Sequence, residues 1–262
     1  MSKPTTKSVK TTLVVSASDR GGDGKTTGLV LVADYLATAG HTFSPVDCDM
    51  GNCDTPAGFS HWFNSPVTRY DLRSIDDCDM LLTQAAQSGL GFVLADFPAN
   101  SSTDLVEWLE QSASPGVLTE LGLRLIAACP VDQSSGAPES AAAWMAAFGE
   151  RAEYLIMLNR KGYERKSKAN PTDTAFSAWK KCVERGVITR PFKTVEIGSL
   201  HAASMEALIG LRELPHKAIR NPKMPILYRD RIQRWSRDVH NQLAKTGLFG
   251  PDAQGAKEAA AA

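Results

Sequence analysis

The sequence predicts an α/β fold: a doubly wound, mostly parallel sheet flanked by helices on both faces. Short apolar stretches of strand length alternate along the chain with longer, helix-like segments. The strand-like stretches are almost continuously apolar, which is typical of strands buried on both faces of a parallel sheet. Such alternation predicts successive βαβ units, in which ligands bind at the carboxyl ends of the strands.

Each element is predicted from a pattern of its own. Residues 12–18, "TLVVSAS", are rich in β-branched side chains and predict the first strand. Residues 25–40 predict a helix that ends at Gly40. The later strands are predicted at 42–49, 91–98, 123–130, 152–160 and 187–192. The later helices are predicted at 103–112, 137–150 and 226–249, the last with an apolar stripe of Ile232, Trp235, Val239 and Leu243.

Composition places the chain among soluble globular proteins. It has 262 residues, of which 43% are hydrophobic and 22% are charged. No apolar run reaches the roughly 18 residues of a membrane span, and the first ten residues lack an apolar signal-peptide core, so we expect a cytoplasmic protein. The 5 cysteines are odd in number and form no C-x-x-C pair, which predicts small buried residues rather than disulfides or a zinc site.

Charge is unevenly distributed, although the formal net charge is zero. Residues 1–158 hold 9 Lys and Arg against 19 Asp and Glu, a difference of −10. Residues 159–193 hold 10 against 3, and residues 211–250 hold 9 against 3, differences of +7 and +6. The basic second half indicates contact with a polyanion. The alternative is that these are solvated faces that balance one another.

The segment "DRGGDGKTT", 19–27, has the features of a phosphate-binding loop between a strand and a helix. Its glycines allow backbone N–H groups to turn inward, and Lys25 at the start of the helix adds a positive charge. Thr26 is placed to bind Mg²⁺, and Thr27 to reach an inner phosphate. The residues predicted to bind the phosphates are Gly21, Gly22, Asp23, Gly24, Lys25, Thr26 and Thr27.

The octapeptide "RGGDGKTT" resembles the deviant Walker A loop, K-G-G-x-G-K-[ST], of the ParA/MinD family of SIMIBI-class P-loop ATPases. In that family the first lysine reaches the nucleotide of a partner subunit, and here Arg20 stands in its place. The resemblance therefore implies that Arg20 acts in trans; the alternative is that it holds a local carboxylate such as Asp19. Asp23 stands where the family has a small or apolar residue, and it brings a negative charge beside the phosphates.

Three further segments resemble motifs of the same family. The segment "VDCDMGNCD", 46–54, resembles the motif in which a strand ends in D-x-D, which implies that Asp49 lies near Mg²⁺ and the attacking water. The segment "FVLADFPAN", 92–100, resembles a Walker B strand, which implies that Asp96 holds Mg²⁺. The segment "LIMLNR", 155–160, resembles the strand whose terminal asparagine, here Asn159, reads the adenine edge.

The resemblance implies an ATPase that binds ATP and Mg²⁺, forms a homodimer through the nucleotide and hydrolyses ATP slowly. The implied catalytic residues are Lys25, Asp49 and Arg20, and the implied metal ligands are Thr26, Asp49 and Asp96. The expected role is plasmid or DNA partition, stability or conjugative transfer, with nonspecific DNA or a small DNA-binding protein as partner. The candidate DNA contacts are Arg229, Arg231, Arg234, Arg237, Arg165, Lys166 and Lys168.

Two other functions stay open on the sequence. One is a metabolic enzyme of the dethiobiotin-synthetase or cobyrinate-amidase type, in which ATP activates a small carboxylate. The other is a degenerate nucleotide-binding scaffold, suggested by Arg20 and Asp23. We expect a flexible N-terminus at 1–10, a single ATPase domain at 11–249 and a low-complexity tail at 250–262. The tail lacks a large apolar face, so membrane binding is not expected.

Overall fold

A computed structural model describes residues 11–111, 115–161 and 176–250 of the chain. The strands are β1 (Thr11–Ser16), β2 (Phe43–Asp47), β3 (Thr68–Arg69), β4 (Phe92–Asp96), β5 (Leu123–Val131), β6 (Ala152–Asn159) and β7 (Phe192–Ile197). They form one seven-stranded sheet of order β3-β2-β4-β1-β5-β6-β7, in which all neighbours are parallel. β1 therefore lies at the centre of the sheet, and the loop that follows it begins at the middle of the edge formed by the carboxyl ends of the strands.

Helices cover both faces of this sheet. They are α1 (Lys25–Thr38), α2 (Ile75–Gln87), α3 (Ser102–Gln111), α4 (Pro115–Leu121), α5 (Ala137–Phe148), α6 (Ser177–Glu184), α7 (Ala202–Leu211), α8 (Pro215–Ala218) and α9 (Ile226–Thr246). Short 3₁₀ turns occupy Phe59–Trp62 and Gly149–Arg151. Among these residues, no helix combines the length and the hydrophobicity that crossing a bilayer requires.

Each face of the sheet has its own hydrophobic core. On one face, α1 and the C-terminal helices pack together through residues such as Leu29 and Trp235. On the other face, the core includes Trp108 of α3, Trp144 of α5 and Trp179 of α6. Burial of such large side chains on both sides is the main stabilising contribution of this architecture. The predicted doubly wound α/β fold is confirmed.

One predicted strand is wrong. Residues 187–191 are not in the sheet, and β7 begins only at Phe192, where it pairs with Tyr154 of β6. Pro191 has no backbone N–H and cannot donate to the ladder, so pairing starts directly after it. The other predicted strands and helices are present with shifted ends. No sequence pattern predicted α2, α4, α6, α7, α8 or the short strand β3.

The apolar stripe predicted for the last helix is confirmed, because Ile232, Trp235, Val239 and Leu243 of α9 are all buried. The expectation for the cysteines also holds for four of them: Cys48, Cys53, Cys78 and Cys129 are buried, and Cys182 is half-buried. The N-terminal residues 1–10, the tail from 251 and the basic residues Arg165, Lys166 and Lys168 lie outside the described residues.

A buried carboxylate joins α1 to the C-terminal helices. Asp34, in the middle of α1, is fully buried, and its Oδ1 lies 2.6 Å from Nδ1 of His216 in α8. The backbone N–H of His216 donates to the same oxygen at 2.8 Å, and Nε2 of His240 in α9 lies 3.1 Å from Oδ2. Burial alone would raise the pKa of Asp34, but its contacts with His216 and His240 outweigh burial and lower it. Asp34 is therefore held as a carboxylate between three helices.

Candidate functional site

The loop between β1 and α1 has the backbone geometry of an anion cradle. Gly22 and Gly24 have φ values of 79° and 105°, in the left-handed region that glycine adopts without strain. Gly24 is also the N-cap of α1, and a Cβ there would lie 2.1 Å from Nδ2 of Asn159. Glycine is therefore required at this position both for its conformation and for the close approach of Asn159.

The N-terminus of α1 is open to a ligand. No side chain caps it, and the first turn contains no acidic residue. Its first N–H groups therefore have no partner within the helix, and together with the helix dipole they favour an anion. Lys25 stands in this turn, but it is only 8% exposed, and its Nζ donates to the carbonyl of Arg20 at 2.5 Å.

Asp96 lies below the loop at the carboxyl end of β4. It is buried, its Oδ1 accepts a hydrogen bond from Ser16 at 2.6 Å, and its Oδ2 accepts one from Thr26 at 2.7 Å. Burial raises the pKa of Asp96 to about 7, against the opposing effect of these two hydrogen bonds. A threonine hydroxyl and a carboxylate are thus paired at the base of the loop, and the predicted role of Thr26 and Asp96 as Mg²⁺ ligands stays a prediction.

The two aspartates at the end of β2 have different surroundings. Asp47 is fully buried, and its Oδ2 accepts hydrogen bonds from the backbone N–H and the hydroxyl of Ser60 at 2.8 and 2.7 Å. Asp49 is half-buried on the cleft, where its Oδ2 accepts a hydrogen bond from Asn52 at 2.9 Å. Asp47 thus anchors the chain after β2, whereas Asp49 remains available to a ligand.

Asn159 lies beneath the loop at the end of β6. Its Nδ2 donates to the carbonyl of Asp23 at 2.7 Å, and its Oδ1 accepts from the backbone N–H of Lys161 at 3.0 Å. The amide therefore positions the phosphate loop through its backbone, and one N–H hydrogen and one oxygen lone pair remain for a ligand. Its predicted contact with the adenine edge stays a prediction.

Arg20 is folded back onto its own chain. A Cβ at Gly136, the N-cap of α5, would lie 2.6 Å from Nη1 of Arg20, and Nε of Arg20 is buried without a hydrogen-bond partner. Asp19, the local carboxylate considered from the sequence, accepts hydrogen bonds from the N–H and hydroxyl of Ser102 at 3.1 and 2.7 Å. Asp19 thus holds the start of α3, while the Arg20 guanidinium lies against the start of α5.

A cleft of about 960 Å³ opens above the loop and brings most of the predicted residues together. The predicted residues that line it are Gly21, Gly22, Asp23, Gly24, Lys25, Thr26, Thr27, Asp49 and Asn159. Arg20 and Asp96 are not among the lining residues. The far half of the cleft was missed by the sequence analysis; its walls include Trp62, Trp235, Met205 and the segment 197–202. That segment follows β7, so correct placement of β7 would have identified it as another strand end.

No protein-family model and no curated protein matches the chain. Among solved structures, a plasmid partition protein from Borrelia burgdorferi B31 bound to AMPPNP aligns with a TM-score of 0.54 at 13% identity, over 90% of this chain and 100% of that one. The chain has the fold of a P-loop NTPase. This agrees, for the fold, with the resemblance to ParA/MinD ATPases seen in its motifs.

Other P-loop folds align less closely. The MinC:MinD complex of Aquifex aeolicus gives a TM-score of 0.48 at 13% identity, over 90% of this chain and 96% of that chain. Chloroplast FtsY from Physcomitrella patens gives 0.46 at 14% identity, over 71% of this chain. This chain spans only 58% of the length of that FtsY chain.

Proposed function

We propose that this P-loop protein binds ATP with Mg²⁺ and hydrolyses it slowly, as a timer for binding a partner. The observation that carries this proposal is the uncapped N-terminus of α1, which lies under a glycine-rich loop with Lys25 in its first turn and Thr26 paired with Asp96. Backbone N–H groups, a helix dipole and an ammonium group together suit a chain of phosphates. The cleft above the loop has room for the rest of a nucleotide.

The residues at the base of the loop suit Mg²⁺. The Thr26 hydroxyl and the Asp96 carboxylate are hard oxygen donors within 2.7 Å of each other, and Asp49 faces the same cleft. Burial disfavours the charged form of Asp96, and a cation would offset that cost. When bound, Mg²⁺ would neutralise charge on the phosphate oxygens. In this proposal Asp49 orients the attacking water, and Lys25 stabilises the charge that develops on the phosphoryl group.

We further propose that the ATP-bound form is a homodimer in which Arg20 reaches the partner's nucleotide. In the chain alone, its guanidinium lies against Gly136 rather than in the cleft. Dimer formation would then require the Arg20 side chain to move away from the start of α5. Its unpaired, buried Nε fits such a move, because no hydrogen bond of that atom is lost.

Two substitutions test whether the Arg20 side chain stays against Gly136 or reaches the partner's nucleotide. Arg20→Ala should leave ATP affinity within about threefold, because the side chain does not line the cleft, but it should remove ATP-dependent dimerisation. Gly136→Ala fills the space beside Nη1 at a φ of −88°, which alanine tolerates, and should dimerise at least as well as wild type. Sedimentation velocity with a non-hydrolysable ATP analogue and Mg²⁺ measures both. A normal dimer from Arg20→Ala would contradict the role in trans.

For the partner, we propose DNA or a small DNA-binding protein, in plasmid partition, DNA stability or conjugative transfer. Of the arginines predicted on α9, Arg234 and Arg237 are exposed and Arg231 is half-buried. Arg229 has a structural role instead, since it donates to the carbonyls of Met224, Asn221 and Pro222. The outward-facing arginines lie on the opposite side of α9 from its buried stripe.

Replacing Arg234 and Arg237 together with alanine should weaken binding to a random-sequence DNA duplex by about tenfold at low salt. It should also lower the slope of log affinity against log salt by about two, because each phosphate contact contributes roughly 0.9. Fluorescence anisotropy at several salt concentrations measures both quantities. Arg73→Ala, which removes a 73%-exposed arginine from the acidic half of the chain, is the control. Equal losses from both variants would exclude α9 as the DNA-binding surface.

A further inference from the structure

Asp23 is a buried carboxylate within the phosphate loop. Its residue is 1% exposed, and neither side-chain oxygen meets a hydrogen-bond donor at good geometry. A carboxylate in such a position is costly unless a positive charge lies nearby. Nζ of Lys25 supplies that charge at 3.8 Å from Oδ1. Asp23 therefore depends on Lys25 in a loop whose ligand would also be negative.

The ammonium group of Lys25 is turned toward the backbone and side chains of its own loop, and it would have to move away from them to contact a bound phosphate. Its ammonium group is almost buried, and it contacts the Arg20 carbonyl at 2.5 Å as well as Asp23. The phosphates of a nucleotide would have to draw this ammonium group away from both partners. The Arg20 carbonyl is neutral and loses one hydrogen bond, whereas Asp23 loses its counter-charge.

One neighbouring carboxylate makes the charge of Asp23 harder to keep, and two polar contacts act in the opposite direction. Asp132, in the loop after β5, adds a like charge that raises the pKa of Asp23, whereas the Ser18 hydroxyl and the Lys25 backbone N–H lower it. Burial raises the pKa of Asp23 above its usual value even with Lys25 in place to lower it. Without Lys25, and with phosphates beside the loop, the neutral form is favoured further.

We infer that Asp23 is a positioning residue that holds Lys25 inside the nucleotide-free loop and takes up a proton from solvent when bound phosphates draw Lys25 away. This inference rests on the proposed nucleotide binding and adds a regulatory property to it. Asp23 competes with the nucleotide for Lys25, and protonation of Asp23 ends the competition. The aspartate at this position of the loop thus makes nucleotide affinity depend on pH.

The direction of that dependence follows from the number of bound protons. The nucleotide-bound protein binds more protons at Asp23 than the free protein, because Asp23 has lost its counter-charge. Affinity is therefore higher at low pH and falls as pH rises, by up to about tenfold per pH unit for one proton. The fall occupies the range between the lower pKa of Asp23 in the free protein and its higher pKa in the complex.

The test compares wild type with Asp23→Asn, which keeps the shape and removes the charge. Calorimetric titration with a non-hydrolysable ATP analogue and Mg²⁺ is carried out from pH 5 to pH 8.5, so that the range begins near the usual pKa of a carboxyl group and extends well above it. At the upper end we expect Asp23→Asn to bind about tenfold more tightly, with a flatter dependence on pH. Other titrating groups, including the nucleotide and Asp96, are common to both proteins, so the difference between the two profiles isolates Asp23.

Proton uptake is also measured directly. Binding enthalpies in two buffers of different ionisation enthalpy give the number of protons taken up, which should fall on going from wild type to Asp23→Asn. Asp54→Asn is the control: it removes a carboxylate that pairs with Arg69 on a different cavity, and it should keep the proton uptake. A purely structural role of Asp23 would leave the proton count unchanged.

The outcomes separate the inference from the function on which it rests. Equal pH profiles and equal proton counts in wild type and Asp23→Asn, with both binding nucleotide, would overturn the inference and leave the proposed function standing. Absence of binding by wild type at every pH would overturn both. Thermal unfolding without nucleotide checks that Asp23→Asn folds like wild type; in that variant Lys25 keeps its hydrogen bond to the Arg20 carbonyl. Asp23→Ser should show the same flattening, so the conclusion does not depend on one variant.

Discussion

Lys25→Ala is expected to abolish ATP binding, with a rise in dissociation constant of about 100-fold or more. Lys25 is the cation in the first turn of α1, where the helix has no side-chain cap and no acidic residue. Removing it takes away a charge-assisted contact with the phosphates in a nearly buried position, and two tenfold steps in affinity correspond to about 2.8 kcal/mol. Calorimetry with ATP and Mg²⁺ measures the change.

The control for Lys25→Ala is Lys245→Ala, which removes an exposed lysine from the last turn of α9 and should bind ATP like wild type. A second variant, Lys25→Ala with Asp23→Asn, removes the ion pair as a unit, so that no buried carboxylate is left without its partner. If both Lys25 variants keep wild-type affinity, the loop does not bind phosphate as proposed, and the degenerate scaffold becomes the better interpretation.

Asp49→Ala is expected to leave ATP binding intact and to slow hydrolysis by about 100-fold, trapping the ATP dimer. Asp49 faces the cleft, and its Oδ2 has Asn52 as a hydrogen-bond partner, so the carboxylate is held near the phosphate loop with capacity to orient a water. Phosphoryl transfer depends chiefly on positioning and charge, and loss of an orienting carboxylate costs roughly two powers of ten. Single-turnover phosphate release measures the chemical step, and sedimentation measures the dimer.

The chain offers a matched control in the same loop. Asp54 is 79% exposed, pairs with Arg69 and lies on a different cavity, so Asp54→Ala removes an equal charge without reaching the cleft. We expect it to hydrolyse ATP like wild type. Equal turnover of Asp49→Ala and wild type would remove Asp49 from the mechanism and leave the orientation of water to other residues.

Much of this fold was predictable because its signals are local. β1, β4 and β5 are apolar runs that can be buried only inside a sheet, and the glycines of the loop have a spacing that few other structures need. The apolar stripe of α9 follows from its period alone. In a parallel sheet the carboxyl ends of all strands lie at the same edge. The grouping of Lys25, Asp49 and Asn159, which follow or end such strands, on one cleft was therefore also predictable.

The remainder depends on contacts between distant segments. Pro191 moves β7 toward the C-terminus, and with it the segment 197–202 that forms the far wall of the cleft. The surroundings of the Arg20 and Asp23 side chains could not be predicted either, because they depend on the approach of Arg20 to Gly136 and on the burial of Asp23 in the folded chain. The sequence shows that these two residues are unusual for the loop, and only the packed structure shows that Asp23 is buried and that Arg20 lies against Gly136.

The carboxylate of Asp34 has a mechanical consequence. The helix whose first turn would face the phosphates of a bound nucleotide is hydrogen-bonded at its middle to His216 of α8, and its Asp34 also lies 3.1 Å from His240 of α9. A rigid connection of this kind transmits displacement, because a buried carboxylate cannot slide away from its partners without losing them. We therefore expect any movement of α1 on nucleotide binding to be passed to α9 and its exposed arginines. One buried side chain would thereby couple the proposed nucleotide site to the basic side of α9.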